Sequence, residues 1–327
     1  MSLPHVAWLV ESGGLAGGVK VIYEYASRLS LLGWPTTILS LDNQSDWFQR
    51  WHKVKWLRYG SYEAVIEATK SLKPDIVIAT WWKTAYVARD ILDVLPAARG
   101  AYLVQDVETA YYIDPLTCGM VMQTYHLGLN LFTTSHWVER QLSQCHYTGI
   151  AIGKWRLEEV GARSREVLAV LRPQALKGFR ELAEVARYLA DKAIHLVTFG
   201  IHPGLRLVGS HRHFKDIRDK DLRKAYSACG VFISTSLHEG LSMTALEAMA
   251  CGAPVIMFDA QGNMEYARDG DNCLLATSPY DMAEKVEQVL TDRKRAVALG
   301  KSGVQTAQKY LDWSEPVGRL AAYLTTL

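Results

Sequence analysis

Val231–Pro254 reads VFISTSLHEGLSMTALEAMACGAP. The run opens as a strand at Val231, Phe232 and Ile233, passes through small hydroxyl residues and breaks at His238–Glu239–Gly240. A helix follows, carrying Leu246, Met249 and Ala250, and it stops at Gly252 before Pro254. A strand–loop–helix junction of this kind aims free backbone N–H groups and the positive end of a helix at one spot, which suits a phosphate. Two carboxylates frame that spot. Glu239 lies in the loop and Glu247 on the helix, about 12 Å apart if the interval is mostly helical. A carboxylate accepts hydrogen bonds from hydroxyls and repels phosphate. A ligand with hydroxyls at both ends and charge in the middle, a nucleoside diphosphate sugar, matches the pattern. Glu239 would take the sugar, Glu247 the ribose, and the amides of Gly240, Leu241, Ser242 and Met243 the diphosphate. On spacing alone a plainer alternative stands equally: Glu239 is a solvated loop residue and Glu247 a charge on a helix face.

Outward from this run, apolar stretches alternate with amphipathic ones. His5–Val10, Thr36–Leu41, Asp75–Ala79, Ala101–Val104 and Leu131–Thr134 read as strands; Gly18–Leu32, Tyr62–Leu72, Ala85–Val94 and Val121–Gly128 read as helices. A second series follows a weakly patterned join near 149–165. Its strands are Glu166–Leu171, Ile194–Phe199, Gly230–Thr235, Ala253–Phe258 and Cys273–Leu275, and its helices Ala175–Ala190, Lys220–Ala228, Asp281–Leu290 and Arg293–Gln308. The expected fold class is α/β, with two Rossmann-like domains facing across a cleft, residues 1–153 and 154–305, and a closing helical segment, 306–327. Open parallel sheets bind ligands at the carboxyl ends of their strands.

Composition agrees with such a chain. A length of 327 residues suits about two domains of ordinary size. The net charge is +2, and no dense Lys/Arg block points to nucleic acid. Cys118, Cys145, Cys229, Cys251 and Cys273 lie far apart and are odd in number. That argues against a disulfide scaffold or a zinc site and for a reducing compartment. MSLPHVAWLV lacks the features of a signal peptide and no run reaches membrane-spanning length, so a cytoplasmic location is expected. Tryptophans concentrate early, at Trp47, Trp51, Trp56, Trp81 and Trp82.

The run around Glu239 resembles the E-G-x-x-x-x-x-x-E element of retaining glycosyltransferases of the family-4-like group, which have two Rossmann-like domains (GT-B type). ALEAMACGAPVI, Ala245–Ile256, continues the match, and the likeness extends along nearly the whole chain. The resemblance implies transfer of a hexosyl or deoxyhexosyl group from a nucleotide diphosphate sugar to a hydroxyl acceptor, with retention. It also implies that the last helix crosses back to the first domain. In ESGGLAGG, Glu11–Gly18, the family places a glycine loop against the donor and the acceptor cleft, and Gly17 and Gly18 match it best. The hinge motif of the family is present only as Gly149–Ile150–Ala151–Ile152–Gly153, and the join is shorter than usual.

Two further segments carry candidate chemistry. In YLVQDVETAYY, Gln105, Asp106 and Glu108 leave the carboxyl end of a strand. Family members often have a His–Asp pair here, with Gln105 now at the His-like position, and the VQD-x-E form resembles a rhamnosyltransferase-like subgroup. Asp106 is therefore a catalytic candidate or a helix cap, and Glu108 a site carboxylate or a solvated one. His136, after Ser135, either lines the cleft or opens a capped helix. In LRPQALKGFREL, Arg172 and Lys177 either stabilise the charge that grows on a departing nucleoside diphosphate or are surface charges near a helix start. The family carries a similar Arg/Lys pair. Fixed cations can replace a metal, and no Asp-x-Asp pair of the metal-dependent kind stands out, so neither a metal nor a cofactor beyond the donor is expected.

Phe199–Gly200 with His211, Arg212, His213 and Phe214 would build the base pocket. The acceptor expected from the resemblance is a glycan or lipid-linked glycan assembled at the inner face of a membrane. Trp81, Trp82, Tyr111 and Tyr112 either stack on its sugars or pack in the core. A helix over Val54–Leu72, with scattered lysines and Trp56, gives a poor amphipathic signal, so membrane association is expected to be weak and salt-sensitive at most. Two other readings remain: a sugar-phosphate or nucleotide-sugar enzyme of similar fold, and a non-catalytic nucleotide-sugar-binding protein.

Overall fold

A computed structural model describes residues 3–14, 16–43, 54–158, 162–202, 207 and 209–327. Trp47, Trp51 and Leu15 of the glycine loop fall outside the described residues. The chain divides into one unit of Met1–Ile150 with Ser314–Leu327 and another of Ala151–Trp313. These divisions compare with expected joins at 153/154 and 305/306.

The first unit alternates strand and helix: β1 (Val6–Val10), α1 (Gly17–Leu31), β2 (Thr36–Ser40), β3 (Lys55–Arg58), α2 (Tyr62–Leu72), β4 (Ile76–Ala79), α3 (Trp82–Val94), β5 (Arg99–Val104), α4 (Pro115–Thr124), β6 (Asn130–Thr133), α5 (His136–Gln141) and β7 (His146–Tyr147). The strands form one parallel sheet in the order β3-β2-β1-β4-β5-β6-β7. Every residue of β1, β2 and β4 is buried, as expected where helices cover both faces.

The second unit repeats the plan with β8 (Val167–Val170), α6 (Phe179–Asp191), β9 (Leu196–Gly200), β10 (Ser210–Lys215), α7 (Asp219–Ala228), β11 (Val231–Ser234), α8 (Met243–Ala250), β12 (Val255–Phe258), β13 (Leu274–Ala276), α9 (Pro279–Thr291) and α10 (Arg293–Ala307). Its parallel order is β10-β9-β8-β11-β12-β13. The last helix, α11 (Ser314–Thr325), belongs to the first unit. There Arg319 Nε donates to the Thr148 carbonyl at 2.8 Å, and the Tyr323 ring stacks on His146 at 4.4 Å.

Two local expectations are corrected. Val54–Leu72 is not one helix: Lys55–Arg58 pairs with β2 as an edge strand, and α2 begins after Ser61, whose Oγ accepts from the Ala64 N–H at 3.3 Å. The helix expected at 121–128 runs instead over Pro115–Thr124, started by the Asp114 cap on the Thr117 N–H at 2.8 Å. His211–Phe214, expected with Phe199–Gly200 to build the base pocket, lies in the edge strand Ser210–Lys215 beside β9. Arg212 there pairs with Glu166 at 3.3 Å, and the His213 Nδ1 lies 2.9 Å from Thr198 Oγ1. Edge strands tolerate such polar sequences because only one side is paired.

Each sheet has one topological switch point, where chain order reverses between neighbouring strands. It lies between β1 and β4 in the first unit and between β8 and β11 in the second. Ligands of open α/β sheets bind beyond the carboxyl ends at such points. Among the described residues no helix is long and apolar enough to cross a membrane.

Candidate functional site

The second unit's switch point gathers the residues that the sequence marks. β8 leads into Arg172 and β11 into the loop carrying Glu239. Between Arg172 and α6 lies a single helical turn, Ala175–Lys177, closed by Gly178 at φ 69°. This turn is held against the other loop by main-chain bonds: the Leu237 and His238 N–H groups both donate to the Leu176 carbonyl, at 2.9 and 3.2 Å. Thr235 Oγ1 donates to the Gly178 carbonyl at 3.0 Å. A Cβ at position 178 would lie 1.7 Å from the Thr235 oxygen, so only glycine fits.

That packing brings three charges together. Lys177 Nζ lies 2.9 Å from Glu239 Oε2 and donates to the His238 carbonyl at 3.0 Å. Arg172 Nη1 lies 3.2 Å from Glu239 Oε1, which also accepts from Ser236 Oγ at 2.8 Å. Burial by itself would raise the Glu239 carboxyl; Arg172 and Lys177 beside it, with the Lys177 and Ser236 hydrogen bonds, outweigh this and hold it below the ordinary value. Glu239 is thus an ionised, buried carboxylate with two cations, not a solvated loop residue.

The Glu239 backbone is fixed from the other side. Its N–H donates to the Ala260 carbonyl and its carbonyl accepts from Gly262, both at 3.0 Å. A Cβ on Gly262 would sit 2.2 Å from the Gly240 oxygen and 2.3 Å from that of Glu239. Gly262→Ala is therefore expected to cost about 1–3 kcal/mol, the usual scale of forced overpacking. Urea denaturation checks this; an unchanged midpoint would mean that the 260–262 segment yields without strain.

Beyond Gly240, the chain turns into α8 through Ser242 at φ 67°. Ser242 makes no side-chain cap, and its buried Oγ has no hydrogen-bond partner among the described residues. Its carbonyl accepts from the Tyr266 hydroxyl at 2.9 Å, which pins the turn. Among the described residues no N-cap side chain takes the first N–H groups of α8, which can therefore meet a ligand or water. Glu247, 6% exposed, lies within α8 among buried neighbours rather than on a solvated face. Burial first, and the Glu247 charge second, push the Cys251 thiol up to about 12 and raise the Tyr226 hydroxyl well above its ordinary value. Only the second half of the Glu239–Glu247 interval is helical, so the rise-based spacing does not carry over in full.

In the first unit, Gly17 and Gly18 open α1. A Cβ on Gly18 would come 3.2 Å from Gln105 Nε2, so this glycine lets the Gln105 amide approach the helix start, whereas Gly17 faces open space. Gly13 is the more constrained residue, with Asn43 O only 2.0 Å from a built Cβ. Asp106 is buried, and both its oxygens are used within its own turn: Oδ1 accepts from the Val107 N–H at 2.8 Å and Oδ2 from the Tyr111 hydroxyl at 2.6 Å. Glu108 is fully buried rather than solvated. Trp82 is core, its Nε1 donating to Tyr112 at 2.8 Å, while Trp81 and Tyr111 form a half-exposed pair with centroids 5.9 Å apart. His136 opens the helix capped by Ser135 and stacks on Tyr147.

Sequence reasoning missed Ser236, which bonds Glu239 within its own loop, and Gly262 and Tyr266, which act through contacts between distant segments. It also passed over two pairs with Asp-x-Asp spacing, Asp219/Asp221 and Asp269/Asp271. Asp269 accepts from the Leu275 N–H at 2.8 Å and Asp271 from Ser302 Oγ at 2.7 Å, and Asp219 and Asp221 stand in the first turn of α7.

Residues 162–306, inside the second unit, match the family described as Glycosyl transferases group 1. Over 152 residues the chain is 30% identical to the N,N'-diacetylbacillosaminyl-diphospho-undecaprenol alpha-1,3-N-acetylgalactosaminyltransferase of Campylobacter jejuni subsp. jejuni serotype O:2, covering 44% of this chain and 40% of that protein. Over 262 residues it is 22% identical to spore coat protein SA of Bacillus subtilis (strain 168), covering 77% of this chain and 66% of that protein. The chain thus spans less than two thirds of either relative. Among solved structures, Anabaena HepE in complex with UDP-glucose superposes with a TM-score of 0.81 at 16% identity, covering 99% and 100% of the two chains. Sucrose-phosphate synthase from Thermosynechococcus elongatus gives 0.80 at 14%, covering 99% and 98%. The fold class is therefore GT-B, two parallel-sheet α/β units.

Proposed function

We propose that this chain is a glycosyltransferase that moves a hexosyl or deoxyhexosyl group from a nucleotide diphosphate sugar to a hydroxyl acceptor. The observation that carries the reading is Glu239 held between Arg172 and Lys177 beside the uncapped start of α8. Glu239 orients the sugar through its hydroxyls. Arg172 and Lys177 face the departing diphosphate, whose charge grows as the glycosidic bond breaks, so their attraction is strongest in the transition state. The amides from Gly240 to Met243 take diphosphate oxygens and Glu247 the ribose. The sugar moves with retention, the leaving phosphate helping to deprotonate the acceptor, as the family-4-like resemblance implies; no side-chain nucleophile is required.

The second unit is the donor side, supported by the match over residues 162–306. The first unit is the acceptor side, with Gly17, Gly18, Gln105 and Asp106 at carboxyl strand ends. The acceptor is a glycan or lipid-linked glycan, a reading supported by the undecaprenol-linked substrate in the name of the Campylobacter relative. The exposed apolar side chains of Ile113, Leu116 and Met120 suit an acceptor or surface with apolar character. Location at the inner face of a membrane, with weak salt-sensitive association, follows from the same reading.

Two fixed cations and a helix start supply the charge a metal would otherwise bring, so donor binding is metal-independent. Nucleoside diphosphate should raise the melting temperature equally with and without EDTA; loss of the effect in EDTA would refute that part. Glu247→Ala should weaken nucleotide binding by about 1.5–3 kcal/mol, the worth of a charged hydrogen bond. Calorimetric titration reads this, and unchanged affinity in a folded variant would remove Glu247 from the site.

A further inference from the structure

Glu108 lies two residues beyond Asp106 in the turn that leaves β5, and it is 2% exposed. Its Oε2 accepts from the Trp82 N–H, the first residue of α3, at 2.8 Å. Its Oε1 lies 2.8 Å from the Tyr102 hydroxyl on β5. Its own N–H donates to the Tyr125 hydroxyl, just past α4, at 3.1 Å. One residue thus ties β5, α3 and the end of α4 to a single turn, and Gln105 and Asp106 hang from that turn.

We propose that Glu108 is a positioning residue: through these bonds it sets the place of Gln105 and Asp106 on the acceptor side, without itself touching the acceptor. The proposal rests on the transferase reading for what Gln105 and Asp106 do, but not for the geometry. Removing the carboxyl would strand the Trp82 N–H and the Tyr102 hydroxyl in a dry interior, where unmade bonds are expensive. The turn would then relax to find partners, carrying Asp106 with it.

The same surroundings decide the charge state. Burial pushes the Glu108 carboxyl up to about 8; the Tyr102 and Trp82 bonds oppose this, and the charges of Asp106 and Glu11 add to it. Around it stand Tyr102 from β5, Tyr125 beyond α4, Asp106 from its own turn and Glu11 beyond β1, with no cation among the groups that shift it. These surroundings favour the uncharged acid over the carboxylate at neutral pH. A glutamine could keep both contacts without a charge to lose, its Oε1 accepting from the Trp82 N–H and its Nε2 donating to the Tyr102 hydroxyl oxygen.

The test compares E108Q and E108L with wild type by amide NMR of Trp82, Asp106 and Val107. At neutral pH E108Q should keep the Asp106 and Val107 signals near their wild-type positions, and E108L should displace them. On raising the pH, the wild-type signals should move with a midpoint near 8, while those of E108Q stay fixed. If E108L does not fold, the pH comparison between wild type and E108Q still decides. Wild-type Asp106 and Val107 signals that stay put as Trp82 titrates, or E108Q signals displaced as far as those of E108L, would overturn the proposal. A second arm follows UDP-glucose hydrolysis, with water as acceptor. There E108L should slow turnover about ten- to a hundredfold, the scale of stranding buried polar groups, with UDP affinity unchanged. Equal turnover in E108L and wild type would also overturn it. A wild type inert on UDP-glucose would exclude that donor, while the NMR outcome would still judge Glu108.

Discussion

Replacing Lys177 with alanine is expected to lower donor turnover by about 10²–10³-fold, the usual loss when one preorganised charge stabiliser is removed. The ammonium is held by Glu239 at 2.9 Å and by the His238 carbonyl at 3.0 Å, so its position is set before any ligand arrives. The loss should fall on kcat more than on KM, because the charge it meets is largest as the leaving group departs. Arginine should rescue poorly, since its planar fork does not suit a point-charge position between a carboxylate and a carbonyl. Steady-state kinetics on the nucleotide sugar that the wild type turns over checks this. Turnover near that of wild type, with chemistry limiting the rate, would mean that Lys177 serves only to hold Glu239.

Glu239→Ala is expected to remove turnover and also to destabilise the second unit by about 3 kcal/mol, the lower end for breaking a buried ion pair because Arg172 retains access to water. Arg172 and Lys177 would be left facing each other without their shared anion. A nucleoside diphosphate should then restore stability, since its phosphates supply the missing negative charge. Denaturation with and without nucleotide measures both effects: a larger nucleotide-induced stabilisation in the variant than in wild type is expected. Equal stabilisation would place the phosphates away from the two cations.

The second unit was the most legible part of the chain. Val231–Ser234 and Met243–Ala250 appear as a buried apolar strand and a small-residue helix, so both periods are visible in the sequence. The first unit was less so, for physical reasons. Lys55–Arg58 is an edge strand with exposed ends and no apolar run, and it merges by eye into α2. Pro115–Thr124 contains no charged residue, so no polar face marks its period, although the Asp114 cap and Pro115 could have located its start. The burial of Glu108 was hidden because its partners, Trp82 and Tyr125, come from elements 26 and 17 residues away. Gly178 and Gly262 look like ordinary turn glycines; what forbids a side chain at each is a carbonyl from another segment. Glu239, Arg172 and Lys177 could be named from sequence as types suited to a diphosphate sugar. Their mutual pairing could not, because it depends on the Leu176 carbonyl joining two loops about 60 residues apart.

The most direct measurement is release of nucleoside diphosphate from a panel of nucleotide diphosphate sugars in the presence of EDTA, with wild type and Lys177→Ala in parallel. The account expects at least one sugar nucleotide to be turned over by the wild type without metal and to be nearly inert with the variant. Neither binding nor release with any member of the panel, or release that Lys177→Ala leaves intact, would contradict it.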